Sequence, residues 1–187
     1  MRRPDIEQGT KFRPTDNGLE AQPKGAFSST ICLDLQDADY VVAISLLLGA
    51  SPQMQWMGKT LDLSKAYKQL PIEPGHRDWA VAFFRDRRGN PKYYIPNAWM
   101  FGSIAAVYAF NRVSRSLWFF LSRDLLVLCA VYFDDYPMFS PKIAEETDQL
   151  LADFLDLLGW RHDQTGPKGR PFDCNFDVLG VTLDLSL

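Results

Sequence analysis

Two adjacent acids, Asp134 and Asp135, interrupt an apolar, β-rich run over residues 125–133 that resumes at 136–139. Such a run reads as a strand, and the acids mark its reversal. The stretch is therefore predicted to be a hairpin with a carboxylate tip, turning at Asp134-Asp135. This constrains the fold strongly, because apolar strands must be buried while two like charges sit at their end, flanked by the aromatics Phe133 and Tyr136. A second acid, Asp62, closes another short apolar strand predicted over 59–63. In an antiparallel sheet these strand ends lie side by side, which would bring Asp62 within reach of Asp134.

The rest of the chain supplies the frame. Residues 37–49 have apolar residues at Tyr40, Val41, Ile44, Leu47 and Leu48, a helical spacing ended by glycine. Residues 79–84 and 93–95 flank Gly89-Asn90-Pro91 and read as a hairpin with a basic tip. Residues 103–124 carry Val107, Phe110, Val113, Leu117 and Leu121 on one helical face. Ser140-Pro141 reads as a helix start, a serine N-cap with proline at the first position. The helix after it would bury Ile143, Leu150, Leu151, Phe154, Leu155 and Leu158 and end at Gly159. Residues 176–185 read as a final strand. The order of helices and hairpins predicts an α+β domain, an antiparallel sheet with helices on one face.

Composition excludes several classes. The 187 residues fit one domain and can bury a real core. The longest apolar runs, 41–48 and 125–131, are too short to span a bilayer, and the N-terminus lacks a secretory h-region. An intracellular protein without a membrane partner is expected. Cys32, Cys129 and Cys174 are odd in number and widely spaced, which argues against a disulfide framework or a zinc site. The net charge of −3 does not advertise a nucleic-acid binder. It conceals a cluster, however: Arg85, Arg87, Arg88 and Lys92 stand against one acid, Asp86.

Clustered carboxylates without His or Cys suit hard cations, Mg²⁺ or Mn²⁺. Two such ions form the clamp used for in-line phosphoryl displacement. Spacing alone leaves two readings open, a metal site or a pair of structural turns.

Several segments, in order along the chain, resemble the motifs of reverse transcriptases of eukaryotic retroelements. Residues 60–70, Thr-Leu-Asp-Leu-Ser-Lys-Ala-Tyr-Lys-Gln-Leu, resemble motif A. Phe101-Gly102 and the following helix with Ala106 and Phe110 resemble motif B, with Val107 where the family usually has proline. Tyr132-Phe133-Asp134-Asp135 resembles motif C. Leu158-Gly159-Trp160, Lys168 and Leu179-Gly180 resemble the D and E region, and residues 11–16, Lys-Phe-Arg-Pro-Thr-Asp, resemble a fingers motif.

The resemblance implies a palm over 59–75 and 101–187 and partial fingers over 1–58 and 76–100, with thumb and RNase H absent. It implies RNA-directed DNA synthesis, adding dNTPs to a primer on an RNA or DNA template with two Mg²⁺ or Mn²⁺ ions. Asp62 and Asp134 would be metal ligands, with Asp135 supporting and the Leu63 carbonyl touching metal. Tyr67 would be a steric gate against the ribose 2′-hydroxyl, or would simply pack. Lys11 and Arg13 would hold the triphosphate, Gln69 would sit near template or nucleotide, and Phe101-Gly102 would let backbone approach the nascent pair. Lys168 would be a candidate acid for pyrophosphate, or a solvated loop lysine. The rival expectation is an inactive polymerase remnant acting as a binding or structural module.

Overall fold

The computed structural model describes residues 32–50, 53–100, 104–141, 144–164, 166 and 169–186. In chain order the elements are α1 (Ala38–Gly49), β1 (Trp56–Asp62), two 3₁₀ turns (Ala66–Gln69 and Pro74–Ala80), β2 (Ala82–Arg85) and β3 (Pro91–Tyr94). Then come α2 (Ile104–Arg123), β4 (Leu128–Cys129), β5 (Asp135–Pro141), α3 (Ala144–Leu157), β6 (Asn175–Val178) and β7 (Val181–Asp184). The class is α+β with antiparallel sheets. Among the described residues no helix is long and apolar enough to cross a membrane.

The central sheet has the order β1-β5-β4. Alternation along β1 and β5 divides its side chains between two faces. Leu61, Tyr136 and Met138 join Phe110, Leu117, Leu121, Leu151 and Leu155 in one core cluster, so α2 and α3 back that face. Phe139 and Ala130 join Val41, Phe176 and Val178 in a second cluster on the other face. The expectation of helices on one face is therefore corrected: α1 and the β6–β7 hairpin cover the opposite face, because that face is apolar too.

The edges of the sheet are finished by side chains and short bridges. Pro137 lies in the central strand, where it has no N–H to give. Its carbonyl accepts from the Ala130 amide at 2.9 Å, so the missing reciprocal bond falls on the β4 side. The β4 ladder accordingly ends at Cys129↔Met138. Beyond it, the Gln36 side chain accepts from the Val131 amide at 2.8 Å and the Trp118 indole donates to the Cys129 carbonyl at 2.8 Å. On the β1 edge, Gly58 and Asp173 exchange both backbone hydrogen bonds, at 2.8 and 3.0 Å.

Several elements differ from the sequence expectation: β1 begins earlier, at Trp56, and Leu150 and Leu158, expected on the buried face of the helix after β5, are exposed. The hairpin turn falls at Phe133-Asp134, one residue early, because Tyr132 and Asp135 exchange both backbone bonds, at 2.9 and 3.0 Å. Ser140 and Pro141 extend β5 instead of capping a helix, since Pro141 pairs with Trp56; the Ser140 hydroxyl reaches Thr147 of α3 at 2.9 Å. The buried stripe of α2 runs Ala106, Phe110, Ser114, Leu117, Leu121, so Ser114 takes the place expected for Val113. Residues 176–185 are not one strand: Leu179 and Gly180, at φ 47° and 84°, turn β6 back into β7.

Candidate functional site

The strand register places the acids. Asp62, the last residue of β1, pairs with Asp135, the first of β5. Directly opposed residues project to the same face, so two carboxylates meet across the ladder, an arrangement that is destabilising unless something offsets it. Asp134 sits beside them in the two-residue loop. The Leu63 amide donates to the Asp134 carbonyl at 3.3 Å, which ties the loop to the end of β1. Asp62 is buried, while Asp134 and Asp135 are half-buried.

The loop is held in a costly conformation. Phe133 has φ 53°, a left-handed geometry that bulky residues avoid. Ser114 of α2, fully buried, donates its hydroxyl to the Phe133 carbonyl. The Tyr136 hydroxyl lies 2.7 Å from the Ser114 hydroxyl and donates to the Ser114 carbonyl at 3.2 Å. A buried serine and tyrosine thus fix the carbonyl of the residue that precedes the acid pair. Sequence reading missed both, because a serine within an amphipathic helix looks like part of its polar face.

Electrostatics at the tip follow from burial. Burial, then the neighbouring Asp134 charge, pushes the Asp135 carboxyl up to about 6. The same two causes in the same order push the Tyr67 hydroxyl up to about 12. The Tyr136 hydroxyl is raised, chiefly by burial. Asp134 is thus felt by the neighbouring Asp135 of β5 and by two tyrosines.

Tyr67 is buried in the first 3₁₀ turn, and its ring lies 4.5 Å from that of Phe110, tilted 33°. The Leu63 carbonyl accepts from the Ala66 amide at 3.1 Å, which leaves it one further lone pair. Gln69 is engaged locally: its amide donates to the Ser64 and Arg161 carbonyls at 2.8 and 2.7 Å and accepts from the Arg161 amide at 2.7 Å. It clamps residues 161–163 onto the loop after β1, where Leu63 and His162 pair and the Asp163 amide donates to the Asp62 carbonyl at 3.1 Å. Lys65, Lys68 and Arg161 line a cavity of about 80 Å³ there with Ser64 and Gln69. Arg161 had no sequence signal, since the Gln69 clamp and the Ser64 amide, which donates to the Arg161 carbonyl at 2.9 Å, bring it to the loop after β1 from a remote part of the chain. Lys11, Arg13, Phe101, Gly102 and Lys168 lie outside the described residues.

The donor set consists of carboxylate oxygens with one backbone carbonyl, and its chemistry fits a hard divalent cation. Among the described residues no group of three or more His, Cys, Asp or Glu side chains is already arranged to hold a metal ion. The acids come together as an opposed pair plus a loop neighbour.

No protein-family model matches this chain, and no curated protein matches it.

Proposed function

We propose that the chain is the palm and partial fingers of a reverse-transcriptase-like polymerase, adding dNTPs to a primer 3′-hydroxyl on an RNA template. The observation that carries this reading is the register pairing of Asp62 with Asp135, with Asp134 in the loop beside them. A purely structural turn has no need of opposed carboxylates at the end of a neighbouring strand, whereas a site for divalent cations does.

In this reading Asp62, Asp134 and the Leu63 carbonyl hold two Mg²⁺ or Mn²⁺ ions, with Asp135 in support. Bound ions of this kind supply Lewis-acid stabilisation of charge on a transferring phosphoryl group. The chain's own part is to position. Ser114 and Tyr136 fix the loop, and the Leu63 amide docks it on β1. The Tyr67 ring, held by Phe110, stands beside Asp134 where it would exclude a sugar 2′-hydroxyl. Lys65, Lys68 and Arg161 gather positive charge around one cavity at the loop after β1, suited to a triphosphate.

Primer extension on an RNA template with Mg²⁺ or Mn²⁺ tests the reading. Wild type should extend and Asp134→Asn should fall to background. A second readout avoids activity. Mg²⁺ should raise the urea midpoint of wild type by mass action and should not raise that of Asp134→Asn. A folded wild type that neither extends a primer nor responds to the cation would instead favour the inactive binding module. Tyr67→Val should admit rNTPs, and unchanged sugar discrimination in an active variant would refute the gate.

A further inference from the structure

The β2–β3 hairpin has no part in the acid site, yet it carries an unusual surface. Arg85, Arg87, Arg88 and Lys92 face a single acid, Asp86, so residues 85–92 hold four cations and one anion in a chain of net charge −3. Asp86 does not neutralise them. Its carboxylate accepts from the Asn90 and Arg88 amides, at 2.9 and 2.8 Å, and from the Asn90 side chain at 3.3 Å. It shapes the turn instead. Among the described residues no carboxylate forms an ion pair with any of the four cations.

The strands add rings. Phe83 and Tyr93 are directly opposed, with centroids 5.4 Å apart, and they are 52% and 69% exposed. Arg85, two residues along the same face, sits 5.6 Å from the Phe83 ring. On the other face Phe84 and Tyr94 lie 6.2 Å apart beside Lys92. Each face of the ribbon thus combines an exposed aromatic pair with a cation.

We infer that this hairpin is a binding surface for single-stranded nucleic acid. Exposed rings accept stacked bases without regard to sequence, and adjacent cations follow the phosphates. An apolar protein partner would explain the rings but not the cations, and a bare phosphate site would explain the cations but not the rings. Both are present on one short ribbon. The inference leans on the proposed polymerase only for calling the strand a template. Binding is read without nucleotide or metal, so the two ideas fail separately.

The test is fluorescence anisotropy of the full chain with labelled twelve-nucleotide dT and rU oligomers. Replacing both rings in Phe83→Leu/Tyr93→Leu, which keeps apolar bulk and removes stacking, should weaken binding about tenfold or more. Arg87→Ala/Arg88→Ala should make the plot of log affinity against log salt shallower by about 1.4. Unchanged affinity and salt slope in these variants, with native circular dichroism, would overturn the inference. So would a wild type that binds no oligomer but self-associates through the same residues, because the hairpin would then be a contact between copies of this chain. Lost binding in the ring variant alongside an inactive wild type would support the hairpin and sink the polymerase.

Discussion

Two hairpins in this chain carry charge at their tips, and they treat it in opposite ways. The β4–β5 tip presents acids, is half-buried, and is tethered from outside by Ser114, by the Leu63 amide and by pairing with β1. The β2–β3 tip presents cations, is exposed, and is bonded only within itself among the described residues. Asp135, which opens β5 next to the acid tip, and Asp86, in the basic tip, show the consequence. Asp135 is raised to about 6 by burial and by Asp134. Asp86 is lowered, chiefly by accepting the Asn90 amide. One residue type is thus poised by burial in the first hairpin and relaxed by backbone donors in the second. A charge that is costly in the folded state is a charge that a ligand can relieve, whereas a solvated charge mainly attracts.

The largest test breaks the support of the acid hairpin. Gly58 lies in β1 under Phe176, and a Cβ there would fall 2.1 Å from the ring. The ring is held against Phe139, 5.7 Å away, within the second core cluster. Gly58→Ala should therefore cost about 3 kcal/mol of global stability, as overpacking does. Urea denaturation measures it, and a loss under about 0.5 kcal/mol would mean that the β6–β7 hairpin moves aside freely.

The next effect is local to the acids. Ser114→Ala removes the hydroxyl that donates to the Phe133 carbonyl, while the Tyr136 hydroxyl keeps its bond to the Ser114 backbone carbonyl, at a cost of about 2 kcal/mol. Extension activity should fall further than stability does, since the loop conformation is what Ser114 holds. Ser114→Thr retains the hydroxyl and should recover part of both. Equal activity in Ala and wild type, in a folded protein, would show that the loop keeps its shape unaided.

Much of this architecture was readable in the sequence, and the failures share a cause. The α+β class, α1, α2 and both tip hairpins follow from periodicity and turn residues. Asp62 is legible as the end of an apolar strand, and Asp134 as part of a hairpin tip. The choice between Asp134 and Asp135 as the loop residue was not readable, because the Tyr132–Asp135 bond exchange decides it. The Ser114 network joins residues 22 positions apart, and the Gln69–Arg161 clamp joins residues 92 apart. Contacts at such separations leave no local pattern. Ser140-Pro141 misled because a good cap sequence also suits a strand end whose partner, Trp56, is remote.

Asp135 gives a pH test. Its carboxyl titrates near 6 when folded and near 4 when unfolded. Between these values the folded state binds more protons, so stability falls as pH rises through the window. Solvent reaches this half-buried group, and screening reduces the effect to about 1 kcal/mol. Asp135→Asn should remove the slope, making the variant more stable than wild type at pH 7.5 but not at pH 4. Parallel stability profiles for the two proteins would show that Asp135 titrates like a free carboxyl.

The smallest effect belongs to the other hairpin and completes the comparison. Gly89 has φ 85°, yet a Cβ there would meet nothing within 4 Å. Gly89→Ala therefore strains the backbone by about 1 kcal/mol without disturbing any packing. Because β2–β3 bonds only to itself among the described residues, that strain should be spent on opening the tip. Amide exchange at Arg88, Gly89 and Asn90 should accelerate while the global urea midpoint stays within error. Gly58→Ala should do the reverse, lowering the midpoint and leaving the basic tip unchanged. If Gly89→Ala lowers the midpoint as far as Gly58→Ala does, the basic hairpin is part of the cooperative core, and its exposure then reflects a surface held rigid for its partner.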